Sequence, residues 1–392
     1  MYPRGGDCVV ALNTASLLRA HGHEVRLYAM DYPDNLELPD ASGYASRVSF
    51  DGSLPEKLKA VRRLMGKGDV RESFRKVMRE FRPDVVHMHN IHSYLSPVIG
   101  EIAASMGVRV VWTMHDYKLI CPAYSCRRPD GSNCELCFGG NLHVAHLRCM
   151  KGSYPASFIA SLEAKRWNRT RLQRFCSAFI CPSEFMAECM NKAGFRSDLL
   201  RVLNNFADPV KFEGREPCIM PEPYFCYVGR LSEEKGVATL LRAARIAGVR
   251  LKVAGDGPLR ESLQRAYEDV ASIEFLGHLD ASGVAEVLSR ASASVIPSEW
   301  YENNPLGVIE SLSLGTPVIG ARIGGIPELI RDDSDGLKRG ETYPAGNAEA
   351  LAELLLEFKS DAYDRRRIAA AARERFSPGK HYEALMKIYS LH

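Results

Sequence analysis

The chain has 392 residues, enough for two domains that each bury a core. Its 46% apolar and 25% charged content exclude a disordered chain, and no apolar run approaches the roughly 18 residues that a membrane span needs. The net charge of +3 is uneven: residues 1–206 hold 28 Lys and Arg against 20 Asp and Glu, the rest 23 against 28. The basic half suits an anionic partner, but its basic residues are dispersed and carry no nucleic-acid motif, so no nucleic-acid partner is expected.

The opening Met1-Tyr2-Pro3-Arg4-Gly5-Gly6-Asp7 leads into an amphipathic helix with Val9, Val10, Leu12, Leu17 and Leu18 apolar. Gly5 and Gly6 open that helix, which suits a phosphate. His21-Gly22-His23 ends it, and residues 24–29 read as a strand. A doubly wound domain places a strand before such glycines, and none stands here. We therefore expect Met1 to be an internal start, with about a dozen residues preceding it.

Residues 54–81 form a basic helical stretch that reads as a solvated face. Asp84-Val85-Val86-His87-Met88-His89-Asn90 is a strand ending in polar residues, and 108–113 is another that delivers Met114-His115-Asp116-Tyr117 into a loop. Both ends should face the ligand side of the sheet. His89 and His115 are either structural or functional histidines on these signals alone.

Five cysteines follow within 29 residues: Cys121, Cys126, Cys134, Cys137 and Cys149. Cys134-Glu135-Leu136-Cys137 has the gap of a zinc knuckle. Cys121, Cys134, Cys137 and Cys149 are candidate ligands of a structural zinc, with Cys126, His143 and His146 as alternates; the other reading is a loop of free thiols. Residues 153–176 read as one long basic helix, with Phe158, Ile159, Leu162, Trp167, Leu172 and Phe175 apolar. Such a helix lies either on an anionic membrane surface or against the core with a solvated basic side. Residues 179–184 and 201–206 supply two more strand ends, and Pro209, Pro217, Pro221 and Pro223 mark a boundary near 206–222.

The second half opens with Tyr224-Phe225-Cys226-Tyr227-Val228, then Gly229-Arg230-Leu231-Ser232-Glu233-Glu234-Lys235-Gly236. A strand, a glycine turn and a helix carry two cations five residues apart, which suits a diphosphate. Residues 251–258 and 273–278 are further strand ends on that edge. Ala293-Ser294-Val295-Ile296-Pro297 is a strand followed by Ser298-Glu299-Trp300-Tyr301-Glu302-Asn303-Asn304-Pro305-Leu306-Gly307-Val308-Ile309-Glu310, whose end begins a helix over 306–314. Asn304, Leu306 and Gly307 would present backbone N–H groups at that helix start. Glu302 and Glu310, eight residues apart, can face one ligand. Residues 376–392 close the chain as a helix.

Glu302-x7-Glu310, followed by Gly315-Thr316-Pro317-Val318-Ile319 and Gly324-Gly325-Ile326-Pro327-Glu328, resembles the retaining glycosyltransferases of the GT-B fold, family 4. Gly229 to Gly236 resembles that family's diphosphate motif. The resemblance implies two doubly wound, Rossmann-like α/β domains facing a cleft. The first spans 1–206 with an acceptor site and the Cys-rich insertion, the second spans 207–375 with the nucleotide-sugar site, and 376–392 crosses back to the first. It implies Arg230 and Lys235 on the departing diphosphate, Leu276 and Gly277 backbone at the base, Glu310 on the ribose, Glu302 on the donor hexose and His115 beside the sugar. The commoner family form has Gly-aromatic-Gly after the first glutamate; Asn303-Asn304-Pro305-Leu306-Gly307 departs from it and alters the grip on the hexose.

The expected function is retaining, metal-independent transfer of a hexose from a nucleoside-diphosphate sugar to a lipid-linked glycan of a bacterial surface polysaccharide. No cofactor is required on this reading. The expected location is cytoplasmic, at the inner face of the membrane as a peripheral protein. A nucleotide-sugar epimerase of the same fold and a non-catalytic sugar-nucleotide-binding protein are the alternatives.

Overall fold

The computed structural model describes residues 5–36, 43–331 and 336–390. It divides into two compact units, Met1–Leu203 with Tyr382–His392, and Asn204–His381. Met1 to Arg4 of the opening motif lie outside the described residues.

The first unit holds a four-stranded parallel sheet in the order β1 (Val85–Met88), β2 (Arg109–Thr113), β3 (Ala178–Cys181), β4 (Leu200–Val202). Runs such as Val110-Val111-Trp112 and Ala178-Phe179-Ile180 are buried throughout, as expected of parallel strands covered on both faces. Val111, Ala178 and Ile180 pack with Leu18 and with Leu385 and Ile388 from the helix Pro378–Ser390. Tyr382 of that helix stacks on His21 with ring centres 3.7 Å apart.

Two expectations are corrected in this unit. Residues 24–29 do not form a strand: the segment leads into the isolated parallel bridge Met30–Ala45, with the Ala29 carbonyl accepting from the Ala45 N–H at 3.1 Å. A strand needs a ladder of pairs, and among the described residues this single bridge does not extend into one. The helix expected over 153–176 is two helices, Tyr154–Arg166 and Arg169–Leu172, broken at Trp167-Asn168. Asn168 caps the second by accepting from the Arg171 N–H at 3.1 Å. Trp167 is buried, its Nε1 donating to the Leu64 carbonyl at 2.7 Å, so it does not face a membrane. The basic stretch 54–81 is likewise two helices, Leu54–Leu64 and Val70–Phe81.

The second unit holds a six-stranded parallel sheet. Its strands are β5 (Glu222–Val228), β6 (Leu251–Ala254), β7 (Ile273–Gly277), β8 (Ala291–Ile296), β9 (Val318–Ala321) and β10 (Gly340–Tyr343). The spatial order is β10-β9-β8-β5-β6-β7. The chain therefore winds one way from β5 and returns to β5's other side at β8. That reversal opens a crevice between the carboxyl ends of β5 and β8, where doubly wound sheets bind ligands.

Candidate functional site

The loop after β5 and the loop after β8 meet at this crevice. Lys235 ends the short helical turn Glu233–Lys235, and its Nζ lies 2.6 Å from Glu302 Oε1. Oε1 also accepts from Ser298 Oγ at 2.7 Å and Trp300 Nε1 at 2.9 Å. Glu302 is only 7% exposed. Burial pushes its carboxyl up, but the Lys235 charge and the bonds from Lys235, Trp300 and Ser298 outweigh that and hold it below its ordinary 4.5. The Lys235 ammonium sits 5.2 Å from the centre of the Trp300 ring, a second favourable contact. All three recorded bonds to the carboxylate end on Oε1, so Oε2 remains to accept hydroxyls.

Backbone packing fixes the loops. Gly236 has φ +64°, and a Cβ there would lie 1.9 Å from the Pro297 carbonyl oxygen. Gly324 has φ +59°, and a Cβ there would lie 2.2 Å from the Glu302 carbonyl oxygen. That carbonyl accepts from the Gly325 N–H at 2.7 Å. Only glycine allows both the left-handed backbone and the approach.

Pro305 stands at the N-cap of the helix Leu306–Ser313, so the first-turn N–H groups of Leu306 and Gly307 lack intrahelical acceptors. Asn304 is clasped by Asn205, whose N–H donates to Asn304 Oδ1 at 2.8 Å and whose Nδ2 donates to the Asn304 carbonyl at 2.9 Å. Asn304 Nδ2 is buried without a partner among the described residues. Glu310, one turn into the helix, is paired with Lys211 Nζ at 2.5 Å. Arg230 is exposed, and its carbonyl accepts from the Tyr227 hydroxyl at 2.8 Å. Gly229 follows β5, and Leu276 and Gly277 end β7, where Gly277 at φ +69° lies beside the Arg260 guanidinium.

The first unit gathers a separate polar group at the ends of β1 and β2. His89 Nδ1 and His115 Nε2 share a hydrogen bond of 2.8 Å. His87 packs on His89 at 4.3 Å between ring centres and bonds Thr113 Oγ1 and the Tyr389 hydroxyl, each at 2.7 Å. Asn90 Nδ2 donates to Asp7 Oδ2 at 2.7 Å. Asp7 is in the first turn of the helix Gly6–Ala20, which Gly5 opens without a side-chain cap. Burial draws the His115 imidazole down to about 4, with Asp7 pulling the other way, so the ring is neutral near pH 7.

All eleven cysteines are free. Cys121 shares a thiol hydrogen bond with Cys126, which draws Cys121 down to about 7. Among the described residues no group of three or more His, Cys, Asp or Glu is placed to hold a metal ion. Cys121, Cys134, Cys137 and Cys149 therefore do not form a ligand set in this geometry.

The crevice thus brings together Lys235, Glu302, Asn304, Leu306, Gly307 and Glu310 in the second unit, while His115, Gly5 and Gly6 belong to the first. Sequence reasoning missed Lys211 and Asn205. Each lies 99 residues from its partner, and no local pattern links them. Ser298 and Trp300 carried a signal that was read without a role: a donor two and four residues before a buried glutamate.

Comparison with known proteins fits this architecture. Residues 4–211 match the family described as Glycosyltransferase Family 4, and residues 214–375 match Glycosyl transferases group 1. The sulfoquinovosyl transferase SQD2 of Arabidopsis thaliana is 31% identical over 181 residues, 46% of this chain and 33% of that protein. A glycogen synthase of Mycobacterium tuberculosis is 34% identical over 188 residues, 45% of this chain and 44% of that protein. The lipopolysaccharide core biosynthesis glycosyltransferase LpsE of Rhizobium meliloti is 29% identical over 217 residues, 52% and 61% of the two chains. The match thus spans less than two thirds of each of these relatives. Among solved structures, sucrose-phosphate synthase from Thermosynechococcus elongatus superposes with a TM-score of 0.66 at 18% identity, over 98% of this chain and 93% of that one. Anabaena HepE, solved in complex with UDP, gives 0.56 at 18% identity over 81% and 82%. These structural likenesses carry the fold, two Rossmann-like domains of GT-B type. With its family profile matching more than half of its length, the chain belongs to glycosyltransferase family 4.

Proposed function

We propose that the protein is a retaining glycosyltransferase that moves a hexose from a nucleoside-diphosphate sugar to a lipid-linked glycan in bacterial surface polysaccharide synthesis. The observation that carries this reading is the Lys235–Glu302 pair at the strand-order reversal, beside a helix start with free N–H groups. On this reading Arg230, Lys235 and the N–H groups of Leu306 and Gly307 stabilise the departing diphosphate, fixed charges and dipoles aimed where charge develops. They supply from the protein the positive field that makes a metal unnecessary. Glu302 accepts hexose hydroxyls on Oε2, and Glu310 accepts ribose hydroxyls. His115, neutral near pH 7, orients the sugar by hydrogen bonding rather than by charge. Retention follows from attack by the acceptor on the face the diphosphate leaves, with no covalent sugar–enzyme intermediate.

Anabaena HepE was solved in complex with UDP-glucose, which supports a nucleotide-sugar donor here. The role of LpsE in lipopolysaccharide core biosynthesis supports a surface-glycan acceptor. Among the described residues no helix is long and apolar enough to cross a membrane, so the lipid-linked acceptor would be reached from a membrane surface.

The test is turnover of a nucleotide-sugar panel with a lipid extract as acceptor, reading nucleoside diphosphate release and product anomer by NMR. Release dependent on acceptor, with the donor's anomeric configuration kept, is the expected result. An inverted anomer contradicts retention, and an isomerised donor formed without acceptor contradicts transfer.

A further inference from the structure

Of the thiols between Cys121 and Cys149, two are in contact. Beyond β2 the chain turns back on itself. The Cys121 N–H donates to the Tyr117 carbonyl at 2.7 Å, the Tyr124 N–H to the Cys121 carbonyl at 2.7 Å, and the Tyr117 N–H to the Tyr124 carbonyl at 3.1 Å. Tyr124 at φ +60° and Cys126 at φ +50° take the left-handed backbone that completes the reversal. Side chains are disfavoured there, so these bonds impose the turn. The Cys126 carbonyl then accepts from the Cys134 N–H at 2.7 Å, which anchors the far end. Two side chains five residues apart are thereby set against each other, the Cys126 S–H donating to the Cys121 sulfur.

That contact is asymmetric. The bond from Cys126, and after it the Lys118 charge, draw Cys121 down against its burial, while Cys126 keeps its proton. Lys118 is itself fixed, its Nζ donating to the Pro122 carbonyl at 2.8 Å and pairing with Glu163 at 2.9 Å. Cys121 is therefore the nucleophile and Cys126 the thiol that follows it. Cys121 is 6% exposed and Cys126 0%, so the pair admits an oxidant of about the size of water and turns away bulky ones. A nucleophilic sulfur touching a second thiol is the arrangement that carries a sulfenic acid on to a disulfide.

We propose that Cys121 and Cys126 are a site of reversible oxidation, closing to a disulfide with hydrogen peroxide as the oxidant. The Cys121 thiolate attacks one peroxide oxygen and the O–O bond breaks. The departing hydroxide takes a proton from solvent and leaves as water, and Cys121 is then a sulfenic acid. The Cys126 sulfur attacks the Cys121 sulfur, the S–O bond breaks, and the hydroxyl leaves as water with the Cys126 proton. Two thiols lose two hydrogens, and the peroxide is reduced to two waters. A dithiol reverses the change by exchange. The new bond ties the loop that carries His115 out of β2. This inference stands on the thiol contact and does not need the transferase reading.

The experiment treats the full chain with equimolar hydrogen peroxide, unfolds it in N-ethylmaleimide and maps tryptic peptides by mass. The peptide Leu119–Arg127 carries Cys121 and Cys126 as its only cysteines. In wild type it is expected to take up no maleimide, to weigh two hydrogens less than the reduced peptide, and to accept two maleimides again after dithiothreitol. Cys126→Ser should stop at a sulfenic acid on Cys121, trapped by dimedone, and Cys121→Ser should leave Cys126 fully alkylated. The wild-type readout depends on no variant folding. A wild-type peptide that keeps both maleimides overturns the proposal, whether or not the more exposed Cys8 and Cys218 are oxidised. Cys121 joined to Cys134, Cys137 or Cys149 instead, or driven to a sulfinic acid with Cys126 still alkylated, also overturns it.

Discussion

A carboxylate as buried as Glu302 is stable only because Lys235, Ser298 and Trp300 converge on one of its oxygens. Glu302→Gln keeps the shape and removes the charge. On the proposed mechanism it should lower kcat by about 10²–10³. Nucleoside diphosphate binding should be kept, because Lys235 is freed for phosphate; a fluorescence or calorimetric titration separates the two. Lys235→Met leaves the carboxylate buried and unpaired and should cost roughly 3–5 kcal/mol of stability. The folded carboxyl titrates below its ordinary 4.5, so its stabilisation is complete above that value and is lost as pH falls below it toward the folded value. Lys211 holds Glu310 in the ligand-free molecule. Lys211→Met should weaken nucleoside diphosphate binding about tenfold, equal to 1.4 kcal/mol, and should weaken a 2′,3′-dideoxy analogue less. At this scale the two glutamates and Lys235 were legible because their spacing is local. Lys211 and Asn205 were not, because only the folded chain brings them to Glu310 and Asn304.

At the scale of elements, the site is built from loops that follow strands, and glycines set how closely those loops approach. Gly324→Ala and Gly236→Ala each add a methyl group into a backbone carbonyl at a left-handed position. Each should cost on the order of 3 kcal/mol, read as a lower denaturation midpoint at unchanged slope. Strands β1 to β8 were readable as short apolar runs ended by Gly, Pro or polar residues. Residues 24–29 misled because Val25 and Leu27 alternate as a strand would, while a strand needs a run of pairs and among the described residues the segment reaches only the single bridge at Met30. Residues 153–176 misled because composition does not say which side of a helix is buried. The apolar content there is divided between a buried Trp167 and an exposed row on the preceding helix.

At the scale of the whole molecule, alternating strands and helices told the fold class, whereas the strand-order reversal between β5 and β8 emerged only from pairing. Stability against pH is also a property of the whole chain. Burial draws His381 down to about 4 from 6.5, only partly countered by its bond to the Asn204 carbonyl at 3.0 Å. The unfolded chain therefore binds the extra proton first, and stability falls as pH drops from 6.5 to about 4, by about 1.4 kcal/mol per pH unit for this group. Asp116, pushed up by burial to about 6, works in the opposite direction in its own unit. His381→Gln should flatten the acid slope of the melting temperature. The central claim is that the crevice between β5 and β8 holds a nucleoside diphosphate. The measurement that tests it most directly is a thermal-shift titration of UDP, GDP, ADP and dTDP on wild type and Arg230→Ala, since a ligand that binds only the folded state raises the melting temperature. We expect one nucleotide to raise it in wild type and to lose most of that effect in Arg230→Ala. No shift with any of the four, or a shift that Arg230→Ala leaves intact, would contradict the account.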